Sequence, residues 1–179
     1  MIRLTRKRKK VCIVGLGIVS VLEAIYQKLN GNQVYLISSK NNFGGSWGPV
    51  ILKNHKIKTE LGVHYIEEQA DTEKMINLIL GKTIRLKKKY IINSRGKSNI
   101  EYISNLKNNL NLDGGAIYLE ERLKSLLGLQ DIKIINSKVN KLKKIEDDLF
   151  EIHLEDNLFN KEVIYTNYFI FTSGSKEII

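Results

Sequence analysis

The sequence predicts an α/β protein built on a parallel sheet, and three observations carry that prediction. An apolar run, Val11-Cys12-Ile13-Val14, breaks at Gly15-Leu16-Gly17 and passes directly into a helical pattern. A second apolar run, Val34-Tyr35-Leu36-Ile37, follows that helix. A third, Tyr168-Phe169-Ile170-Phe171, has the unbroken apolar character of a parallel strand buried on both faces.

Taken in order, residues 1–10 form a basic arm or the lead into the first strand. The helical pattern after the glycine turn (Ile18, Val21, Leu22, Ile25, Leu29) stops at Asn30-Gly31. Strand, turn, helix and strand within about 30 residues make a βαβ unit with a right-handed crossover. The turn is the place to look for chemistry. Gly15 lets the chain leave the strand sharply, and Gly17 keeps a Cβ out of the way of a pyrophosphate. The helix opening at Ile18, Val19 and Ser20 aims free N–H groups and its positive end at the same point. Ser20 stands where the G-x-G-x-x-G pattern has its third glycine, a position that sets how closely helix and strand pack. These features predict a Rossmann-like dinucleotide-binding unit; a βαβ unit that holds no phosphate is the plainer alternative.

At the end of the second strand the pattern expects an acid for the ribose hydroxyls. Ser38, Ser39 and Lys40 stand there instead. A serine hydroxyl lacks the strength of a carboxylate acceptor, and a Ser-Ser-Lys end also suits a 2′-phosphate, which points to NADP. The densest turn segment, residues 41–49 with Gly44-Gly45, comes next. Short extended pieces are expected at 50–51, 57–58 and 63–66, then a helix from an Asp71 cap to Gly81. A strand or hairpin is expected over 83–86 and 90–92, and a helix near Ile100–Leu106. Gly114-Gly115 opens a helix with Ile117, Leu119, Leu123, Leu126 and Leu127 on its apolar face, closed by Gly128. The stretch from Ile132 to Tyr165 alternates as strands do, with hairpin turns at Asp147-Asp148 and Asp156-Asn157.

Composition sets bounds on the class. At 179 residues the chain suits one domain with a real core, and 42% hydrophobic content excludes a wholly disordered chain. The net charge of +10 invites a nucleic-acid reading. Six of those charges, however, crowd into the first ten residues as Arg3, Arg6, Lys7, Arg8, Lys9 and Lys10. The other lysines lie among isoleucines and asparagines with no interleaved aromatics, so they read as a solvated surface and not as a nucleic-acid face. The single cysteine, Cys12, allows no internal disulfide and reads as a small buried hydrophobe. No apolar run reaches membrane-spanning length and the basic start leads into no signal peptide, so the cytoplasm is the default location.

The order of these elements resembles a family. The βαβ turn, Gly44-Gly45 six residues after Ser38, Gly62-Val63-His64, Gly114-Gly115, Val139 after a strand, and Thr172-Ser173-Gly174 are similar to the FAD-dependent amine oxidase, protoporphyrinogen oxidase and phytoene desaturase group, with UDP-galactopyranose mutases as relatives. The resemblance implies an α/β fold: a Rossmann-like FAD/NAD(P)-binding domain with a parallel sheet, a three-stranded β excursion and a short remnant of the substrate domain. It divides the chain into the arm 1–10, a nucleotide domain of 11–66 and 112–179, and a reduced substrate-domain-like insertion of 67–111. It also implies that the chain corresponds to the first part of such an enzyme: a fragment, a degenerate paralogue, or half of a split protein. A second chain or a second copy would then cover the missing half.

By that resemblance FAD is the cofactor, with NADP the alternative. Its pyrophosphate would lie on Gly15, Gly17, Ile18, Val19 and Ser20, and its adenosine ribose by Ser38, Ser39 and Lys40. Gly44, Gly45, Ser46 and Trp47 would follow the phosphates and ribityl chain, and Val139 would offer its backbone to adenine. Gly62, His64, Thr172, Ser173 and Gly174 would complete the cofactor set. Trp47 serves equally as a core aromatic, and His64, without a carboxylate at a recognisable spacing, reads as structural or flavin-adjacent and not as a general base. No catalytic residue is identified. His55 and His153 show no metal-ligand spacing, and no metal site is expected. The implied reaction is oxidation of a small organic substrate by hydride transfer to flavin. The rivals are a non-catalytic or split dinucleotide-binding domain that pairs with another chain, a mutase-like flavoprotein, and a plain NAD(P)-binding protein.

Overall fold

The computed structural model describes residues 8–52, 57–59, 66–67, 72–85, 91–92, 101–102 and 109–172. The first strand, β1 (Lys10–Val14), leads through the glycine turn into α1 (Ile18–Leu29) and then β2 (Gln33–Ile37). α1 ends at Asn30, whose side-chain amide donates to the Tyr26 carbonyl at 2.9 Å, and at Gly31 with φ +83°. These are the stop signals the sequence carries. A 3₁₀ turn, Gly45–Trp47, precedes the short antiparallel pair β3 (Val50–Leu52) and β4 (Ile57–Thr59).

The middle of the chain contributes β5 (Ile66–Glu67), α2 (Thr72–Ile79), β6 (Thr83–Arg85), β7 (Ile91–Ile92), β8 (Glu101–Tyr102) and β9 (Asn109–Leu112). β5, β9 and β6 form one antiparallel sheet, and β7 pairs with β8 in another. The helix expected near 100–106 is therefore not formed at Glu101–Tyr102, which is strand. α3 (Gly115–Gly128) returns the chain to the core, followed by β10 (Lys133–Ile135), the meander β11 (Lys138–Glu146), β12 (Leu149–Glu155) and β13 (Lys161–Thr166), and finally β14 (Tyr168–Phe171).

Four strands, in the order β10-β2-β1-β14, make a parallel sheet. Strand periodicity assigns its side chains to two faces. Val11, Ile13, Val34 and Leu36 join Val21, Ala24, Leu119, Leu123 and Leu127 of the two helices in one cluster. Cys12, Val14 and Ile37 join Val139, Ile152 and Leu154 of the antiparallel meander in the other. Because both faces are covered, β1 and β2 read as continuous apolar runs. The meander has one face against the sheet and one in solvent, and its central strand β12 alternates accordingly: Ile152 and Leu154 point in, Glu151 and His153 out. β14 occupies an edge, and its residues are half-buried or exposed, not fully buried as its apolar run predicts.

The expected fold class needs correction. Of the five sheets described, one is parallel and four are antiparallel, and ten of the fourteen strands lie in the antiparallel ones. With only three α-helices among the described residues, the molecule is a mixed-sheet protein and not a Rossmann-like doubly wound domain. Connection length accounts for part of this: β3–β4, β7–β8 and the meander β11–β12–β13 are joined by short links that reverse the chain, and parallel pairing needs a long crossover such as α1 between β1 and β2. β9 pairs antiparallel with β5 and β6 across longer connections. Among the described residues no helix is long and apolar enough to cross a membrane.

Candidate functional site

The carboxyl ends of β1, β2 and β14 converge on the turn that opens α1. Gly15 has φ +124°, a conformation that L side chains rarely adopt, and its N–H donates to the Ile37 carbonyl at 2.9 Å. Gly17 is the N-cap of α1 with no side-chain cap, so the first-turn N–H groups face outward without a side-chain acceptor from the cap residue. A Cβ placed on Gly17 would meet nothing within 4 Å except Ser20 Oγ at 4.0 Å: the space over the turn is open. Ile18 is half-buried, Val19 is 67% exposed, and Ser20 is buried.

The Gly44-Gly45 pair lies directly against this turn. The Gly44 N–H donates to the Leu16 carbonyl at 2.9 Å, and Gly17 and Gly44 form a parallel bridge. Gly44 has φ +92°, and a Cβ there would come within 2.8 Å of Gly48 Cα. Two backbones thus meet with no side chains between them, and one of them carries the amino end of a helix. Ser46 is exposed, and Trp47 packs against the cluster on the helix side of the sheet, as a core aromatic does.

Two hydroxyls sit behind the turn. Ser20 Oγ and Thr172 Oγ1 are 2.5 Å apart, and Thr172 Oγ1 donates to the Val14 carbonyl at 2.8 Å. At the end of β2, Ser38 is buried and engaged locally: its Oγ donates to the Lys40 carbonyl at 2.9 Å and accepts from the Lys40 N–H at 3.2 Å. The Ser38 N–H donates to the Ile135 carbonyl, which ties the end of β2 to the end of β10. Ser39 is half-buried and Lys40 exposed. Val139, on the edge strand β11, is buried in the meander-side cluster. The structure therefore gathers Gly15, Gly17, Ser20, Gly44, Gly45 and Thr172 at one turn, with Ser38 at the neighbouring strand end. Gly62, His64, Ser173 and Gly174 lie outside the described residues.

One group went unforeseen. Glu120, 5% exposed on α3, is held by Lys58 Nζ at 2.9 Å and by Lys124. Burial pushes its carboxyl up, but hydrogen bonds and charge from Lys124 and Lys58 outweigh that and hold it below the usual carboxylate range. Lys124 also stands over the Phe43 ring, 5.3 Å from its centre, immediately before Gly44. A signal existed in the sequence: Ala116, Glu120, Leu123 and Leu127 follow helical spacing, so Glu120 interrupts an apolar stripe. Burial pushes the Cys12 thiol up to about 11, so it is neutral at ordinary pH. Among the described residues no three metal-ligating side chains converge.

No family of known proteins matches the chain in sequence, and no curated protein does. Solved structures do match in fold. p-Nitrophenol 4-monooxygenase from Pseudomonas putida aligns with TM-score 0.60 and 14% identity, over 96% of this chain and 42% of its own. An anhydrotetracycline hydroxylase from Streptomyces rimosus gives 0.58 and 12%, over 93% and 32%. A Pyrococcus furiosus protein gives 0.62 and 15%, over 94% and 60%. The chain thus spans about a third to three fifths of the length of these structures, and the likeness is one of fold. It corrects the resemblance drawn from the sequence to the amine oxidase group: the structural neighbours include a monooxygenase and a hydroxylase.

Proposed function

We propose that this chain is the nucleotide-binding part of a flavin-dependent oxidoreductase whose relatives in fold are monooxygenases and hydroxylases, and that FAD is the flavin it holds. The observation that carries the reading is the bare backbone junction at Gly17 and Gly44-Gly45. It sits at the uncapped amino end of α1, and only Ser20 Oγ comes within 4 Å of a Cβ built on Gly17. An anion with a flat, extended tail fits such a junction, because backbone N–H groups and the helix dipole meet it while no side chain blocks it.

In this reading Gly15, Gly17, Ile18, Val19 and Ser20 hold the pyrophosphate from the α1 side, and Gly44, Gly45 and Ser46 flank it from the other. Ser38, Ser39 and Lys40 stand beside the adenosine end, and Val139 and Thr172 line the neighbouring strand ends. Gly62, His64, Ser173 and Gly174 belong to the same proposal by sequence pattern. The nucleotide unit is 11–66 and 112–179, with 67–111 as the insertion. Bound flavin supplies hydride or oxygen chemistry, and the protein's part is to bind and orient it.

A second reading has its own support. Ser38, at the place of the ribose-binding acid, is engaged with Lys40 in both directions, which leaves that end without a strong acceptor. This favours a domain that binds nucleotide weakly or with a phosphorylated ribose, as in NADP, and does no chemistry alone. The absorption spectrum and thermal melt of the purified chain, with and without FAD or NADP, separate the readings. Flavin bands, or a melt raised by FAD and not by NADP through mass action, support the first. A melt raised by NADP alone supports the second, and a melt indifferent to both overturns nucleotide binding.

A further inference from the structure

We infer that Ser20 and Thr172 form a hydroxyl latch that sets the amino end of α1 and turns toward a bound pyrophosphate. The inference rests on the nucleotide reading above and deepens it. Ser20 is the third residue of α1 and is 1% exposed. Thr172 follows β14, 152 positions later. A hydroxyl carries one proton, and Thr172 Oγ1 gives its proton to the Val14 carbonyl at 2.8 Å. Ser20 must therefore be the donor in the 2.5 Å contact, and the order of donation is Ser20 to Thr172 to Val14.

That order has an alternative that breaks no backbone hydrogen bond. The Val14 carbonyl also accepts from the Thr172 N–H at 3.3 Å, so it keeps a partner if the Thr172 hydroxyl turns away. Among the described residues, Gly17's chain neighbours aside, Ser20 Oγ comes within 4 Å of the open space over Gly17, 4.0 Å from where a Cβ would sit. An anion in that space draws the Ser20 proton to itself. Thr172 then donates to Ser20, and both hydroxyls remain satisfied. Glycine, the usual occupant of this position in the G-x-G-x-x-G pattern, has no such group. Ser20 is thus a positioning residue for the turn and a donor to the ligand, and Thr172 acts through it.

The test is a double-mutant cycle of Ser20→Ala and Thr172→Val, with Thr172→Ser as the conservative variant. Thr172→Val keeps the shape of the side chain and removes the hydroxyl. Without ligand, each single change lowers the melting temperature by about 2–4 °C, and the pair lowers it by no more than the larger single change. Titration with ADP and with FAD shows dissociation constants about tenfold weaker for Ser20→Ala and Thr172→Val, again without addition in the pair. Thr172→Ser binds as the unaltered chain does. Additive melting shifts overturn the latch, whatever the binding result. Unchanged dissociation constants in both single variants overturn its role toward the ligand. If the unaltered chain binds neither ADP nor FAD, the nucleotide reading falls and takes the ligand-facing half with it. The ligand-free cycle still decides the latch.

Discussion

Gly17→Ala separates binding from folding. Gly17 has φ −73° and ψ 174°, ordinary extended backbone, and a Cβ there meets nothing closer than Ser20 Oγ at 4.0 Å. Alanine therefore fits without strain. It restricts the unfolded chain, a gain of about 0.4–1 kcal/mol, and gives up some of glycine's advantage as an N-cap, a loss of roughly the same size. The two effects cancel to within about 0.5 kcal/mol, a melting shift of about 2 °C or less. The ligand meets a different situation, because its phosphate oxygens must come within about 2.9 Å of the turn's N–H groups. The new methyl occupies that approach. Losing two charge-assisted hydrogen bonds at about 1.5–3 kcal/mol each removes about 3–6 kcal/mol of binding, roughly a hundredfold to ten-thousandfold in dissociation constant. Paired thermal melts and FAD titrations measure both sides. An unchanged melt with unchanged FAD affinity refutes a pyrophosphate on Gly17, and a large loss of stability refutes the claim that the space is open.

Three further outcomes follow from described contacts. Gly44→Ala costs about 2–4 kcal/mol of stability, because it combines a left-handed backbone with a backbone clash at Gly48, whereas Gly31→Ala, at φ +83° with nothing nearby, costs only about 1–2 kcal/mol; equal losses in urea unfolding would discount the clash. Glu120 has a folded-state pKa below its ordinary value of 4.5, so its contribution is fully present above that value and is lost as pH falls through the lower folded value. Melts of the unaltered chain and of Glu120→Gln should differ at pH 7 and converge in acid; a gap that widens in acid has the wrong sign. Cys12, with its thiol near 11, should resist thiol reagents at pH 8 until urea unfolds the chain, and rapid labelling of the folded protein would contradict its burial.

The sequence makes some of this plain and conceals the rest. β1, α1 and β2 are legible because burial on two faces leaves a continuous apolar run, and because Gly15 and Asn30-Gly31 mark the bends that bound the helix. The meander is legible for the opposite reason, since one wet face makes Glu151 and His153 alternate with Ile152 and Leu154. What misleads is the step from elements to class. Two-residue strands such as β5, β7 and β8 carry too few side chains to show a period, so the antiparallel sheets outside the meander stay hidden. The glycine motifs mark places where backbone bends or approaches backbone, a requirement that many nucleotide-binding proteins share. They carry no information on which reaction follows, and so the amine oxidase group was the wrong neighbour. The sequence shows Ser20 only at the position that sets helix–strand packing, because its partner Thr172 is remote in sequence and close only in space.

The placement of β1 between β2 and β14 bears on how the chain is made. One edge of β1 finds its partner about 20 residues later, and the other waits for Tyr168–Phe171. At about 5–20 residues per second, a ribosome takes on the order of ten seconds to deliver that second partner. Through that interval a strand that is buried from Val11 to Val14 in the folded molecule presents a bare row of N–H and C=O groups, the kind of edge on which strands of different chains join. That edge of β1 stays open until β14 is synthesised, and its closing is the event that brings Thr172 to Ser20.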